Sequence, residues 1–302
     1  MKLRRNHTSS GNNSLSFIVR VIIFIGLLLG ILYFLLKNKD NILQYIGKDK
    51  KYIENNDFVY ERTYLPVSDG IILHKSNFSL AYDSNCKSAK WVAYRLTKDQ
   101  LKDRIDLDRV LFSSDPQLKR NKTEYYDYSG SGYDRGHLVP AADMSFDSIS
   151  YKETFLMSNI VPQKRGCNRG IWKELEKQTR QWVKKHNEVY IISGPVYTQQ
   201  IRPVKLNKSN ICVPDAFFKI VLVYNDKIQA TLSFVVPNEL SDKSLSSYTS
   251  TIREIEKQTG INFFDHMLDD SVEEKLENSV NPDLFPLQKN LYKQRVESWN
   301  FE

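Results

Sequence analysis

Asp134, Arg135, Gly136 and His137 stand side by side in SGYDRGHLVPAADMS, residues 131–145. On an extended strand, side chains alternate between faces, so Arg135 and His137 project together while Asp134 and Gly136 take the other side. A cation beside an imidazole suits an anionic substrate. The arginine grips phosphate oxygens and a neutral imidazole takes a proton from water. The same arginine disfavours imidazolium, which keeps the base neutral near neutral pH. Gly136 leaves room for a closely packed helix, and Asp134 is placed to orient a backbone group or a neighbouring donor. Taken alone, the tetrapeptide fits a surface strand of mixed polarity equally well.

A second group follows about thirty residues later. Asn168 opens the stretch NRGIWKELEKQTRQWVKKH, residues 168–186, and Glu176 and Arg180 lie further along it. On one continuous helix, Asn168 and Glu176 would be roughly 80° apart around the axis and about 12 Å apart along it. Arg180 is four residues beyond Glu176, placed for an ion pair. An amide oxygen and a carboxylate beside a general base are hard ligands that suit magnesium. Asn168 also reads as a plain N-cap, and Ser158-Asn159 as a loop turn.

These groups need elements to hold them. The segments 78–84 and 90–97 alternate as strands do, 133–140 fits a short strand ending at Pro140, and 189–195 reads as a buried strand. A short helix is expected near 98–105. Ile171, Trp172, Leu175, Thr179, Trp182 and Val183 keep helical spacing over 168–186. Residues 216–237 read as a hairpin turning at Asn225-Asp226, and 247–259 as a helix stopped by Gly260. Strands and helices mix without regular alternation, so the class is α+β.

The formal net charge of +7 invites a polyanionic partner. Residues 1–51, however, carry nine Lys/Arg against two acids and so hold the whole excess; the remainder is balanced at 34 of each sign. Any phosphate-binding surface must then be local. Residues 164–185, with eight basic and two acidic side chains, are the candidate, and residues 265–277 run the other way. Both also read as solvated helix faces. Three cysteines, Cys86, Cys167 and Cys212, allow at most one internal disulfide and argue against a structural zinc site.

Residues 17–36, FIVRVIIFIGLLLGILYFLL, are long enough to span a bilayer as a helix. No cleavage site follows, so the segment reads as an uncleaved signal anchor, with a mitochondrial presequence fused to an anchor as the alternative. Residues 1–16 form a short basic tail and 37–60 a polar linker, with the folded domain over 61–302. The positive residues flanking the apolar run are nearly tied and leave its orientation open.

The segments DRGHLVPAADM, SNIVPQ, NRGIWKELE and YIISGPVY resemble, in order and spacing, the DNA/RNA non-specific endonuclease family. AKWVAYRLTK before them and TGINFFDHM after them also resemble family segments, so the likeness covers roughly residues 65–285. The resemblance implies a ββα-metal (His-Me finger) nuclease domain with a mixed, mainly antiparallel sheet. It makes His137 the general base, Arg135 and Glu176 its catalytic partners, Asn159 the loop asparagine of the set and Asn168 the Mg²⁺ ligand, with Mn²⁺ able to substitute. Arg109, in RVLFSSDP, and Arg180 match phosphate-binding positions. The implied reaction is attack of a His137-activated water on phosphorus, with Glu176 orienting metal-bound water, leaving 5′-phosphate and 3′-hydroxyl ends. The expected partners are DNA and RNA without sequence preference and the membrane through residues 17–36. A second copy of the chain and a protein inhibitor are left open. Two other readings keep the same residues: a phosphodiesterase of small nucleotides, and an inactive, anchored nucleic-acid-binding protein. Because a nonspecific nuclease would threaten the cell's own nucleic acids, the domain is expected on the non-cytosolic side.

Overall fold

The computed structural model describes residues 19–20, 23–26, 37, 65–103, 105, 110–197, 203–207, 209–265 and 267–301. The chain divides into two units, residues 1–59 and 60–302. The expected span at 17–36 falls largely outside the described residues, as do the basic tail, nearly all of the polar linker, and Arg109. Among the described residues no helix is long and apolar enough to cross a membrane.

Residues 60–302 are built on a sheet of seven strands: β1 (Ile71–His74), β2 (Ser79–Asp83), β3 (Ser88–Thr97), β6 (Glu188–Val196), β9 (Ala216–Tyr224), β10 (Gln229–Pro237) and β11 (Thr249–Ser250), adjacent in that order. Two ribbons stand apart, β4 (Asp134–His137) with β5 (Ile160–Gln163) and β7 (Pro203–Leu206) with β8 (Ser209–Cys212). Every ladder between these strands is antiparallel, in keeping with the mainly antiparallel sheet expected, and the parallel pairing seen among the described residues is an isolated bridge between Ser113 and Leu156. The helices are α1 (Ser148–Thr154), α2 (Trp172–His186), α3 (Ile252–Thr259), α4 (Asp270–Glu277) and α5 (Lys289–Glu297). Residues 98–102 are turns rather than the expected short helix.

The central strands are apolar on both faces because helices cover both. On β9, Phe217, Val221 and Val223 join a core that includes Trp172, Leu175 and Trp182 of α2, while Phe218, Ile220 and Leu222 join one that includes Ile252 and Ile255 of α3. The period of two that makes this division also turns Lys219 toward α2. The β9–β10 hairpin closes through Asn225, whose Oδ1 accepts from the backbone nitrogens of Lys227 and Ile228. On α3, Thr251 and Glu254 form a reciprocal capping box, and Gly260 ends the helix at a left-handed φ of 71°. A disulfide joins Cys86 to Cys212, while Cys167 is free and buried.

Candidate active site

The site rests on β4, β5 and the lead into α2. Register pairs Asp134 with Gln163, Arg135 with Pro162, Gly136 with Val161 and His137 with Ile160. The helix lead-in then runs alongside β4. Asn168 Nδ2 donates to Asp134 Oδ2 at 3.0 Å and Arg169 Nε to the same oxygen at 3.1 Å. At the other end of the strand, Trp172 Nε1 donates to the His137 carbonyl at 3.1 Å. Those two anchor points are one four-residue strand apart, about 10 Å, which brings the proposed metal residue and the proposed base into one neighbourhood.

His137 packs in a cluster with two aromatic rings, Phe112 at 5.5 Å and Phe155 at 5.0 Å, the latter edge to face, and those two rings lie 5.3 Å from each other. Burial there pushes its pKa down from 6.5 to about 4. The imidazole is therefore neutral at physiological pH because it is desolvated, and the expected influence of Arg135 is not the cause. Nε2 is buried and has no hydrogen-bond partner among the described residues. Arg135 does share the face, since its guanidinium lies over the same Phe112 ring at 5.6 Å. Its Nε and Nη2 donate to the Tyr125 carbonyl at 3.0 and 2.6 Å.

Gly136 does not make room for a helix. A Cβ placed on it would lie 2.2 Å from Cδ and 2.3 Å from Cγ of Gln163, so the cleared space is filled by the partner strand β5. Asn159 is bonded within the chain. It is fully buried, its Oδ1 accepts from the Val139 nitrogen at 2.9 Å, and its Nδ2 donates to the carbonyls of Val139 and Thr154 at 3.0 and 2.9 Å. An amide so committed braces the chain just beyond His137.

The simple helical relation of Asn168 to Glu176 fails as well. Residues Cys167–Ile171 form a wide turn of π type, and Gly170 has non-helical dihedrals of φ −100° and ψ −105°. Asn168 therefore precedes the regular helix and is not its N-cap. Its amide nitrogen is fixed by Asp134, which leaves Oδ1 as the atom able to meet a cation. Such a site, with an amide oxygen and no group of three His, Cys, Asp or Glu ligands among the described residues, fits a hard cation that keeps much of its water.

Glu176 belongs to a buried charge network that the sequence reading missed. Arg180 bonds Asp143 at 2.7 Å, so the expected i,i+4 ion pair with Glu176 gives way to one formed across 37 positions. Asp143 also accepts from the Tyr94 hydroxyl at 2.7 Å. Lys219 is fully buried, donates to Ser193 Oγ at 2.8 Å and lies 4.6 Å from the Trp172 ring centre. Burial raises the Glu176 carboxyl to about 7, against the pull of Arg180 and Lys219. Burial lowers Lys219 to about 8, against Glu176 and Asp143. The signal for Lys219 was visible as one lysine inside the apolar run AFFKIVLV.

The basic stretch 164–185 is largely spoken for within the fold. Besides Arg169 and Arg180, Lys173 and Lys177 lie over the Trp299 ring at 4.7 and 4.1 Å, and Lys185 donates to the Leu284 carbonyl at 2.9 Å.

Comparison with known proteins agrees with this architecture. The family model described as DNA/RNA non-specific endonuclease matches residues 55–270. Nuclease C1 of Cunninghamella echinulata var. echinulata is 32% identical over 209 residues, covering 65% of this chain and 83% of that protein. The human mitochondrial nuclease EXOG is 30% identical over 207 residues, covering 64% of this chain but only 56% of EXOG. A crystal structure titled as the EndoG/EndoGI complex aligns with a TM-score of 0.62 at 26% identity, over 67% of this chain and 88% of that one. With a ββα site carrying His137 and Asn168 and a family match over most of its length, the chain belongs to the DNA/RNA non-specific endonuclease family.

Proposed function

We propose that this protein is a Mg²⁺-dependent endonuclease that hydrolyses DNA and RNA phosphodiester bonds without sequence preference. The observation that carries the reading is His137: a neutral imidazole packed against Phe112 and Phe155, with its Nε2 lacking a hydrogen-bond partner among the described residues. In this reaction the neutral imidazole accepts a proton from the attacking water. Arg135 shares the Phe112 ring with His137 and neutralises a non-bridging phosphate oxygen. Asp134 holds the Asn168 amide so that Oδ1 is its metal-binding end, and Glu176 orients water by accepting its hydrogen bond. Asn168 would hold Mg²⁺, or Mn²⁺ in its place, and the ion would supply positive charge to offset the charge that develops during hydrolysis. Arg180 acts from behind, through Asp143. The products carry 5′-phosphate and 3′-hydroxyl ends.

We also place the domain on the non-cytosolic side of a membrane, anchored through residues 17–36. The apolar run supports the anchor, and the Cys86–Cys212 disulfide supports an oxidising compartment.

The test is degradation of supercoiled plasmid and of RNA by the purified full chain with Mg²⁺. Loss of both activities in EDTA and in Asn168→Ala is expected. Undiminished cleavage in either case would overturn the metal role, and hydrolysis of small diesters alone would overturn the substrate.

A further inference from the structure

Two tyrosines beside Arg135 contribute little to any core. In the helical turn Tyr125–Tyr128, Asp127 and Tyr128 are buried, whereas Tyr125 and Tyr126 are 53% and 43% exposed. Their backbone is nonetheless held firmly. Arg135 donates two hydrogen bonds to the Tyr125 carbonyl, Asn207 Nδ2 donates to the Tyr126 carbonyl at 2.8 Å, and Asp127 Oδ2 accepts from the Glu124 nitrogen at 2.9 Å. The two rings meet edge to face at 5.4 Å. The result is a rigid base presenting a pair of aromatic rings to solvent, with a guanidinium 2.6 Å from the backbone of one of them.

We propose that Tyr125 and Tyr126 form a stacking platform for an unpaired base of the strand whose phosphate Arg135 holds. The inference rests on the nuclease reading and adds to it a preference for strand form. Tyrosine supplies broad, rigid contact area at low cost in side-chain entropy. Every base has a π-face, so stacking tolerates any sequence. In a duplex those faces are covered by neighbouring pairs, so the platform serves single strands, frayed ends and RNA loops. Arg135 is thereby bifunctional: it binds the phosphate and fixes the ledge on which the adjoining base rests.

The experiment compares wild type, Tyr125→Ala/Tyr126→Ala and Tyr125→Phe/Tyr126→Phe, each as the full chain in Mg²⁺. The substrates are a single-stranded oligothymidylate, a duplex of equal length, and bis(para-nitrophenyl) phosphate. Stacking of one base predicts a KM on the single strand raised at least about fivefold in the alanine pair. The phenylalanine pair keeps the wild-type KM, and the alanine pair loses little on the duplex or the small diester. No loss on the single strand, or an equal loss on all three substrates, overturns the platform. A wild-type chain that cleaves none of the three removes the nuclease reading, and the platform with it.

Discussion

Gly136→Ala tests whether close approach of β5 fixes the geometry of the motif. The added Cβ meets Gln163 Cδ at 2.2 Å and Cγ and Oε1 at 2.3 Å, where ordinary contact begins at 3.4 Å. Gln163 is fully buried, so relief requires either its displacement or separation of β4 from β5. Overpacking of this kind costs roughly 1–3 kcal/mol. For a domain of this size each kcal/mol lowers Tm by about 2–4 °C. Because Arg135 and His137 flank the substituted residue, any separation of the strands moves both, and kcat falls with the stability. Gln163→Ala removes the three colliding atoms, and neither end of the Gln163 amide has a hydrogen-bond partner among the described residues. The assay is a double-mutant cycle in Tm and in plasmid cleavage rate. The damage from Gly136→Ala should be largely absent in the Gln163→Ala background. Equal destabilisation in both backgrounds, or a neutral Gly136→Ala, would refute the reasoning.

Other residues give further expected outcomes. Lys219→Met removes a cation that holds the Glu176 carboxyl down, so its pKa rises above about 7; if Glu176 acts as a carboxylate, the acid limb of the pH–rate profile moves to higher pH. An unmoved limb would separate Lys219 from the chemistry. Asp134→Ala frees the Asn168 amide, and the Mg²⁺ concentration for half-maximal cleavage should rise about 10–100-fold, with DNA binding in EDTA unchanged. The Cys86–Cys212 bond spans 126 positions; Cys86→Ser/Cys212→Ser should cost about 2–5 kcal/mol in denaturant unfolding, and an unchanged midpoint would show that the pair contributes nothing.

What was legible in the sequence was the internal logic of single elements. The alternation in 78–84 and 90–97, the apolar run 189–195, the helical spacing from Ile171 to Val183 and the stop at Gly260 each report one segment's own geometry. The tetrapeptide Asp134–His137 was legible for the same reason, since its residues are contiguous. What escaped depends on which residue arrives from elsewhere. Gln163 comes to Gly136 from a partner strand, Asp143 takes Arg180 from Glu176 across the fold, and Lys219 reaches α2 from the middle of the sheet. The turn at Gly170 breaks the helical count between Asn168 and Glu176, and spacing alone carried no mark of it. The desolvation of His137 by Phe112 and Phe155 is likewise tertiary: both rings lie more than fifteen positions from it in the chain.

The most direct test of the account is the rate of plasmid cleavage by His137→Ala, measured under single-turnover conditions with saturating Mg²⁺ and confirmed folding. Loss of a positioned general base predicts a fall of about 10²–10⁴-fold. A variant that cleaves at the wild-type rate would contradict the assignment of His137 and, with it, the mechanism built on this site.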